Sequence, residues 1–67
     1  IYIYSEKELN DLEVIIKDSL GNVIYYNVTT VPECTTYSID ITDFGKGDYT
    51  IQMIEASNYL IGSIHIE

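Results

Sequence analysis

Apolar residues in this chain recur at every second position, stretch after stretch, and nowhere keep helical spacing over three turns. Leu12, Val14 and Ile16 alternate with Glu13, Ile15 and Lys17, and Tyr37, Ile39 and Ile41 alternate with Thr36, Ser38 and Asp40. A period of two sends successive side chains to opposite faces of an extended strand, so each stretch owns one face suited to a core. No helix of consequence is expected. The residue types agree with this: Ile, Val, Tyr and Thr make up 29 of the 67 residues, and β-branched and aromatic side chains suit a pleated, half-buried surface.

Turn signals cut the chain into six short strands, expected at residues 1–5, 12–18, about 23–29, 36–41, 49–54 and 59–66. Between the second and third, Asp18-Ser19-Leu20-Gly21-Asn22 is a hairpin signal. Asp18 can cap the turn through its side chain, and Gly21 can adopt the positive φ that a type I turn with a bulge requires. Tyr25 and Tyr26 are adjacent, so the pleat must send one of them outside the core. Pro32 cannot donate to a ladder and marks a strand end or an edge. In the last strand Leu60, Gly62, Ile64 and Ile66 share a face opposite Tyr59, Ile61, Ser63 and His65. Six strands with turns between them, at roughly ten-residue spacing, predict a single all-β antiparallel sandwich domain over residues 1–67, or a small barrel.

Size and charge exclude several roles. A chain of 67 residues buries only about 60% of its unfolded surface, which leaves one thin core and no deep cleft beside it. Eleven acidic residues face three lysines, for a formal charge of −8, so phosphate-rich nucleic acid and anionic membrane surfaces are disfavoured partners. No apolar run reaches the roughly 18 residues of a membrane span. Cys34 is the only cysteine, so no internal disulfide and no zinc finger can form. The chain starts directly in a strand, without an initiator methionine, and reads as a fragment or as a mature product whose leader has been removed.

The stretch Phe44-Gly45-Lys46-Gly47-Asp48-Tyr49-Thr50-Ile51 resembles the corner of fibronectin-type and immunoglobulin-type sandwiches. There, Gly-x-Tyr opens a penultimate strand and the tyrosine hydroxyl bonds to backbone a few residues upstream. Tyr49 is the candidate for that structural tyrosine corner. Together with Leu12-Glu13-Val14-Ile15-Ile16-Lys17-Asp18, Gly21-Asn22-Val23-Ile24-Tyr25 and Tyr59-Leu60-Ile61-Gly62-Ser63-Ile64-His65-Ile66, it is similar to the small secreted proteins grouped as domain of unknown function thirty-two forty-four. Members occur in gut-associated Gram-negative anaerobes. The resemblance covers nearly the whole chain. It implies export, to the periplasm or cell surface or beyond, and an immunoglobulin-like fold, and it implies no activity. Members usually carry one more strand ahead of the first one here, so the first strand of a seven-strand fold is expected to be missing. By that analogy, strands one and four form one sheet against strands three, two, five and six. An unpaired edge on strand one or four could then accept a strand from another chain, or build a homo-oligomer.

Few residues qualify as sites. His65 is the only histidine, and its same-face sequence neighbours are Ser63 and Ile61, with no nucleophile-elbow spacing anywhere. It reads as an exposed edge-strand histidine. Cys34 follows Pro32-Glu33 with no cation nearby in sequence to activate it and reads as an inert thiol, apart from adventitious cross-linking. Asp40, Asp43 and Asp48 flank a glycine turn and could offer oxygens to calcium, although turn aspartates more commonly cap backbone amides. No catalytic, cofactor or metal residue is therefore assigned. Asn27-Val28-Thr29 matches a eukaryotic glycosylation acceptor, and Asp18-Ser19-Leu20 resembles a short O-glycosylation acceptor of such anaerobes.

Tyrosine is the most suggestive residue type. Tyr37 and Tyr49 suit a half-buried core, whereas Tyr2, Tyr4, Tyr26 and Tyr59 fall outside the expected core faces. An exposed row of them would be a sugar-stacking platform, a protein-binding patch or ordinary strand surface. Three functional classes follow. The first is a non-catalytic secreted or cell-envelope module with a structural, adhesive or protein-binding role. The second is a carbohydrate-binding module using the exposed tyrosines. The third is a C-terminal sorting domain, against which the closing Ile64-His65-Ile66-Glu67 counts because such domains end in lysine-rich residues.

Overall fold

A computed structural model describes all residues, 1–67. It is all-β, with β1 (Tyr2–Ser5), β2 (Leu9–Lys17), β3 (Val23–Val31), β4 (Thr35–Ser38), β5 (Gly47–Glu55) and β6 (Asn58–Ile66). Two antiparallel sheets form, one of order β1-β4 and one of order β3-β2-β5-β6. This is the strand partition that the resemblance implies.

The core sits where the alternation puts it. Leu12, Val14 and Ile16 of β2 are buried together with Val31, Ile39 and Ile51. Ile3, Tyr37, Tyr49 and Met53 pack around that cluster. Central strands β2 and β5 are paired over Glu13–Lys17 and Thr50–Ile54, with Ile16 opposite Ile51, so inward side chains of neighbouring strands meet in one layer.

Strand bounds differ from the sequence expectation at several ends. β2 begins at Leu9, because a bulge carries the pairing with β3 past the irregularity between Leu9 and Leu12. Asp11 sits in that bulge at φ 53. β3 continues to Val31, the residue directly before Pro32, and pairs there with Leu9. β4 ends at Ser38 rather than 41, since its partner β1 runs out. Ile39 still exchanges backbone hydrogen bonds with Ile1, at 2.8 and 3.0 Å.

The β2–β3 turn is held as its sequence requires. Asp18 Oδ1 accepts from the amides of Leu20 and Asn22, both at 2.9 Å, and Gly21 adopts φ 86. The Tyr49 hydroxyl donates to the Gly45 carbonyl at 2.6 Å, which ties the start of β5 to the loop before it. Phe44 packs against the same ring at a centroid distance of 5.5 Å.

The two sides of the sandwich are not equivalent. On the β4 side, the hydroxyls of Tyr25 (β3) and Tyr37 (β4) lie 2.8 Å apart, and Asn27 Nδ2 donates to Tyr37 at 3.0 Å. That cluster bridges the two sheets and closes the gap between them. On the β1 side the two-stranded sheet ends without a further strand. There Leu60 of β6 is left exposed, whereas Ile64, further along the same inward face, packs against the core.

Candidate functional site

The open side forms a groove of about 560 Å³ between β1 and the paired ends of β5 and β6. Ile3, Leu9, Leu12 and Met53 line it together with Tyr2, Tyr4, Tyr59 and Leu60. Each strand contributes through its period. Ile3 points inward, so Tyr2 and Tyr4 must point outward, and they are 80% and 60% exposed. Leu60 lies opposite Met53 in the β5–β6 register and so shares its inward face, yet it is 65% exposed. An inward-facing leucine left in water marks apolar surface without a cover.

The acidic residues nearby are placed by backbone and side-chain contacts. Glu55 lines the groove and accepts from the Asn10 amide at 3.3 Å and from Asn58 Nδ2 at 3.4 Å. Glu6 and Glu8, with Lys7 between them, occupy the β1–β2 connection. Glu55 is the one acidic side chain that lines the groove.

The four exposed tyrosines do not form one row. Tyr2 and Tyr4, from β1, and Tyr59, from β6, border the groove. Tyr26, 58% exposed, is on β3, at the far edge of the larger sheet from β6, about 14 Å away across three strand spacings. Its companions are Ile15, opposite it on β2, and Glu13, whose charge raises the phenol pKa above the ordinary value of 10.0. Tyr25 is held above the same value, chiefly by its hydrogen bond with Tyr37 and then by burial.

His65 has a partner that the sequence did not reveal. β5–β6 pairing sets Asp48 opposite His65, and Nδ1 lies 2.6 Å from the Asp48 carboxylate. No hydrogen bond joins Ser63 to this pair, and both members stand in solvent. The signal was obscured because the two residues are 17 apart in sequence and become neighbours only once the hairpin register is known. Asp40 is used locally: its Oδ1 accepts from the Thr42 amide and hydroxyl at 2.9 and 2.8 Å, and these bonds, the amide's foremost, hold its pKa below 3.8. With Asp48 turned to His65, the three turn aspartates are not gathered, and no three His, Cys, Asp or Glu side chains converge to hold a metal ion. Cys34 is exposed at φ 56 in the β3–β4 turn, its sulfur 3.9 Å from the Glu6 carbonyl. Asn27 of the glycosylation triplet is engaged with Tyr37.

What the arrangement offers chemically is shape, apolar area and backbone. It presents a tyrosine-rimmed apolar groove beside a strand edge, and the one histidine–carboxylate pair lies apart from that groove. No curated protein and no solved structure matches the chain. The family model described as "Domain of unknown function (DUF3244)" matches residues 1–66, and the chain belongs to that family.

Proposed function

We propose that this domain is a non-catalytic module, exported or held in the cell envelope, whose role is to bind or hold another protein. The observation carrying this reading is the apolar groove between β1 and the β5–β6 hairpin, bordered by Tyr2, Tyr4 and Tyr59 and floored in part by the exposed Leu60. Tyrosine and apolar side chains around a concave centre are the composition of protein-binding patches. Supporting it, the only histidine faces a single carboxylate and no nucleophile. The groove carries no cationic side chain of the kind that recognises phosphate.

The test uses the immobilised domain against a displayed peptide library and a broad glycan panel. Peptides enriched by the wild type should be lost by a Tyr2→Ser, Tyr4→Ser, Tyr59→Ser variant that keeps the wild-type far-ultraviolet circular dichroism spectrum. Enrichment indifferent to those substitutions would count against this surface. An extracytoplasmic location is checked by cell fractionation with periplasmic release. Recovery of the domain only in the cytoplasmic fraction would contradict it.

A second reading has its own support. Tyr2 and Tyr4 stand on one face of β1, about 7 Å apart, close enough for two rings to stack on one glycan. Under that reading the glycan panel gives the positive result, and replacing Tyr2 and Tyr4 alone removes it.

A further inference from the structure

The outward face of the larger sheet is apolar where water should meet polar side chains, and we infer that a second copy of the chain docks on it, face to face, about a two-fold axis perpendicular to the strands. Leu12, Val14 and Ile16 point into the core, so Glu13, Ile15 and Lys17 point away from it. Residues paired across strands share a face. The register therefore lays Tyr26, Ile15, Gln52 and Ile61 in one row across the four strands, and Val28, Glu13, Ile54 and Tyr59 in the next. All but Gln52 and Glu13 are apolar or aromatic, and Tyr26, Val28, Tyr59 and Ile61 are exposed. An antiparallel sheet with one solvated face ordinarily alternates apolar inside with polar outside. This face lies on the far side of the larger sheet from β1 and β4, so a strand added beside β1 would leave it bare.

Charge identifies the occupant. Glu13 and Lys17 stand on either side of Ile15 on β2, about 13 Å apart. That is too far for them to pair with each other, and neither forms a salt bridge within the chain. A two-fold axis running across the strands at Ile15 reverses the strand direction of the second copy. It sets Glu13 of each copy over Lys17 of the other, and it lays the row through Ile15 on its own counterpart. An axis along the strands would put β2 over β5 and leave Glu13 against Ile54 without a cation. Aligned sheets cross at about 30°, which displaces side chains about 7 Å from the axis by about 3–4 Å, within the reach of a lysine. Of the eleven acids, only Glu13 and Asp48 stand on the regularly paired part of this face, and Asp48 is turned to His65. Repulsion between the remaining charges is screened over about 8 Å at 0.15 M salt.

The area fits a reversible dimer. Four strands of nine residues, at a spacing of about 4.8 Å and a rise of about 3.3 Å, give each face roughly 570 Å². Two such faces remove roughly 1,100 Å² from water, just above what a specific interface needs and within the range of weak complexes. The expected Kd is therefore about 10–1,000 μM.

The test is sedimentation equilibrium of the 67-residue chain in about 150 mM NaCl, from about 10 μM to about 2 mM protein, with amide shifts followed over the same dilution series. The weight-average mass should rise from 7.6 kDa towards twice that value. Shifts should centre on Ile15, Gln52 and Ile61 and spare Tyr2 and Tyr4. An Ile15→Ser, Ile61→Ser variant with the wild-type circular dichroism spectrum should stay monomeric, whereas Tyr2→Ser, Tyr4→Ser should associate like the wild type. Glu13→Lys and Lys17→Glu should each weaken association about tenfold, and the double exchange should recover the wild-type affinity.

A mass of 7.6 kDa throughout the range overturns the inference, and library peptides then lost by Ile61→Ser would assign the face to a different protein. Association with shifts at Tyr2 and Tyr4 overturns it too, by moving the contact to the β1 edge. Association that survives Ile15→Ser, Ile61→Ser overturns the choice of face. A double charge exchange no stronger than either single change overturns the two-fold arrangement.

Discussion

Individual side chains hold the turns of this domain, and two aspartates show how. Asp18 accepts backbone bonds from Asn22 and Leu20, and Asp40 accepts from Thr42. The bonds favour the charged carboxylates and hold both pKa values below the ordinary 3.8. A depressed folded-state pKa contributes stability that is present above 3.8 and lost as pH falls through the lower folded value. An Asp18→Asn, Asp40→Asn variant should therefore lose less Tm than the wild type as acid is added from pH 3.8 down through the folded values. An unchanged acid limb in calorimetry would contradict the assignment. Ala56, in the β5–β6 turn, sits at φ 52, a conformation that a Cβ penalises and glycine tolerates. Ala56→Gly should raise stability by about 0.5–1 kcal/mol in urea unfolding. Tyr49→Phe, which deletes the 2.6 Å bond to Gly45, should cost about 1 kcal/mol.

Strands differ in how much their periodicity is worth. The inward row of β2 is covered on both flanks by β3 and β5 and from above by the smaller sheet, and Val14 and Ile16 are fully buried. Ile16→Ala should cost about 2–5 kcal/mol, because both apolar transfer and cavity formation count against it. β6 has the same alternation, but its inward Leu60 is open to water. Leu60→Ser should cost no more than about 0.5 kcal/mol, like an ordinary surface change. Equal costs at the two positions would mean that the groove is filled in solution. This contrast explains why strands were legible in the sequence and the site was not. Period two assigns Leu12, Val14, Ile16 and Leu60 equally to an inward face; it cannot tell which inward faces another sheet covers. Coverage depends on sheet width, two strands over four. The same limit applies to the tyrosines: Tyr26 and Tyr59 both read as outward, but only strand order separates them across the sheet. Asp48 with His65, and Tyr25 with Tyr37, likewise depend on register and sheet pairing.

The molecule as a whole is thinly packed and strongly charged. Only 6 of 67 residues are buried, and a core of that size supports a net stability of a few kcal/mol. Eleven acids against three lysines add self-repulsion. Raising NaCl from about 20 to about 300 mM should therefore raise the Tm by screening that repulsion. A falling Tm would mean that specific ion pairs outweigh net charge. The asymmetry of the sandwich, closed by Tyr25, Tyr37 and Asn27 on one side and open beside β1 on the other, underlies the functional reading. It is tested most directly by residue-resolved amide exchange on the dilute, monomeric chain. Tyr2 and Tyr4 should exchange far faster than Ile3 between them, while β2 and β5 amides are the slowest. Tyr2 and Tyr4 amides protected as well as Ile3 in the monomer would show that the edge is already occupied.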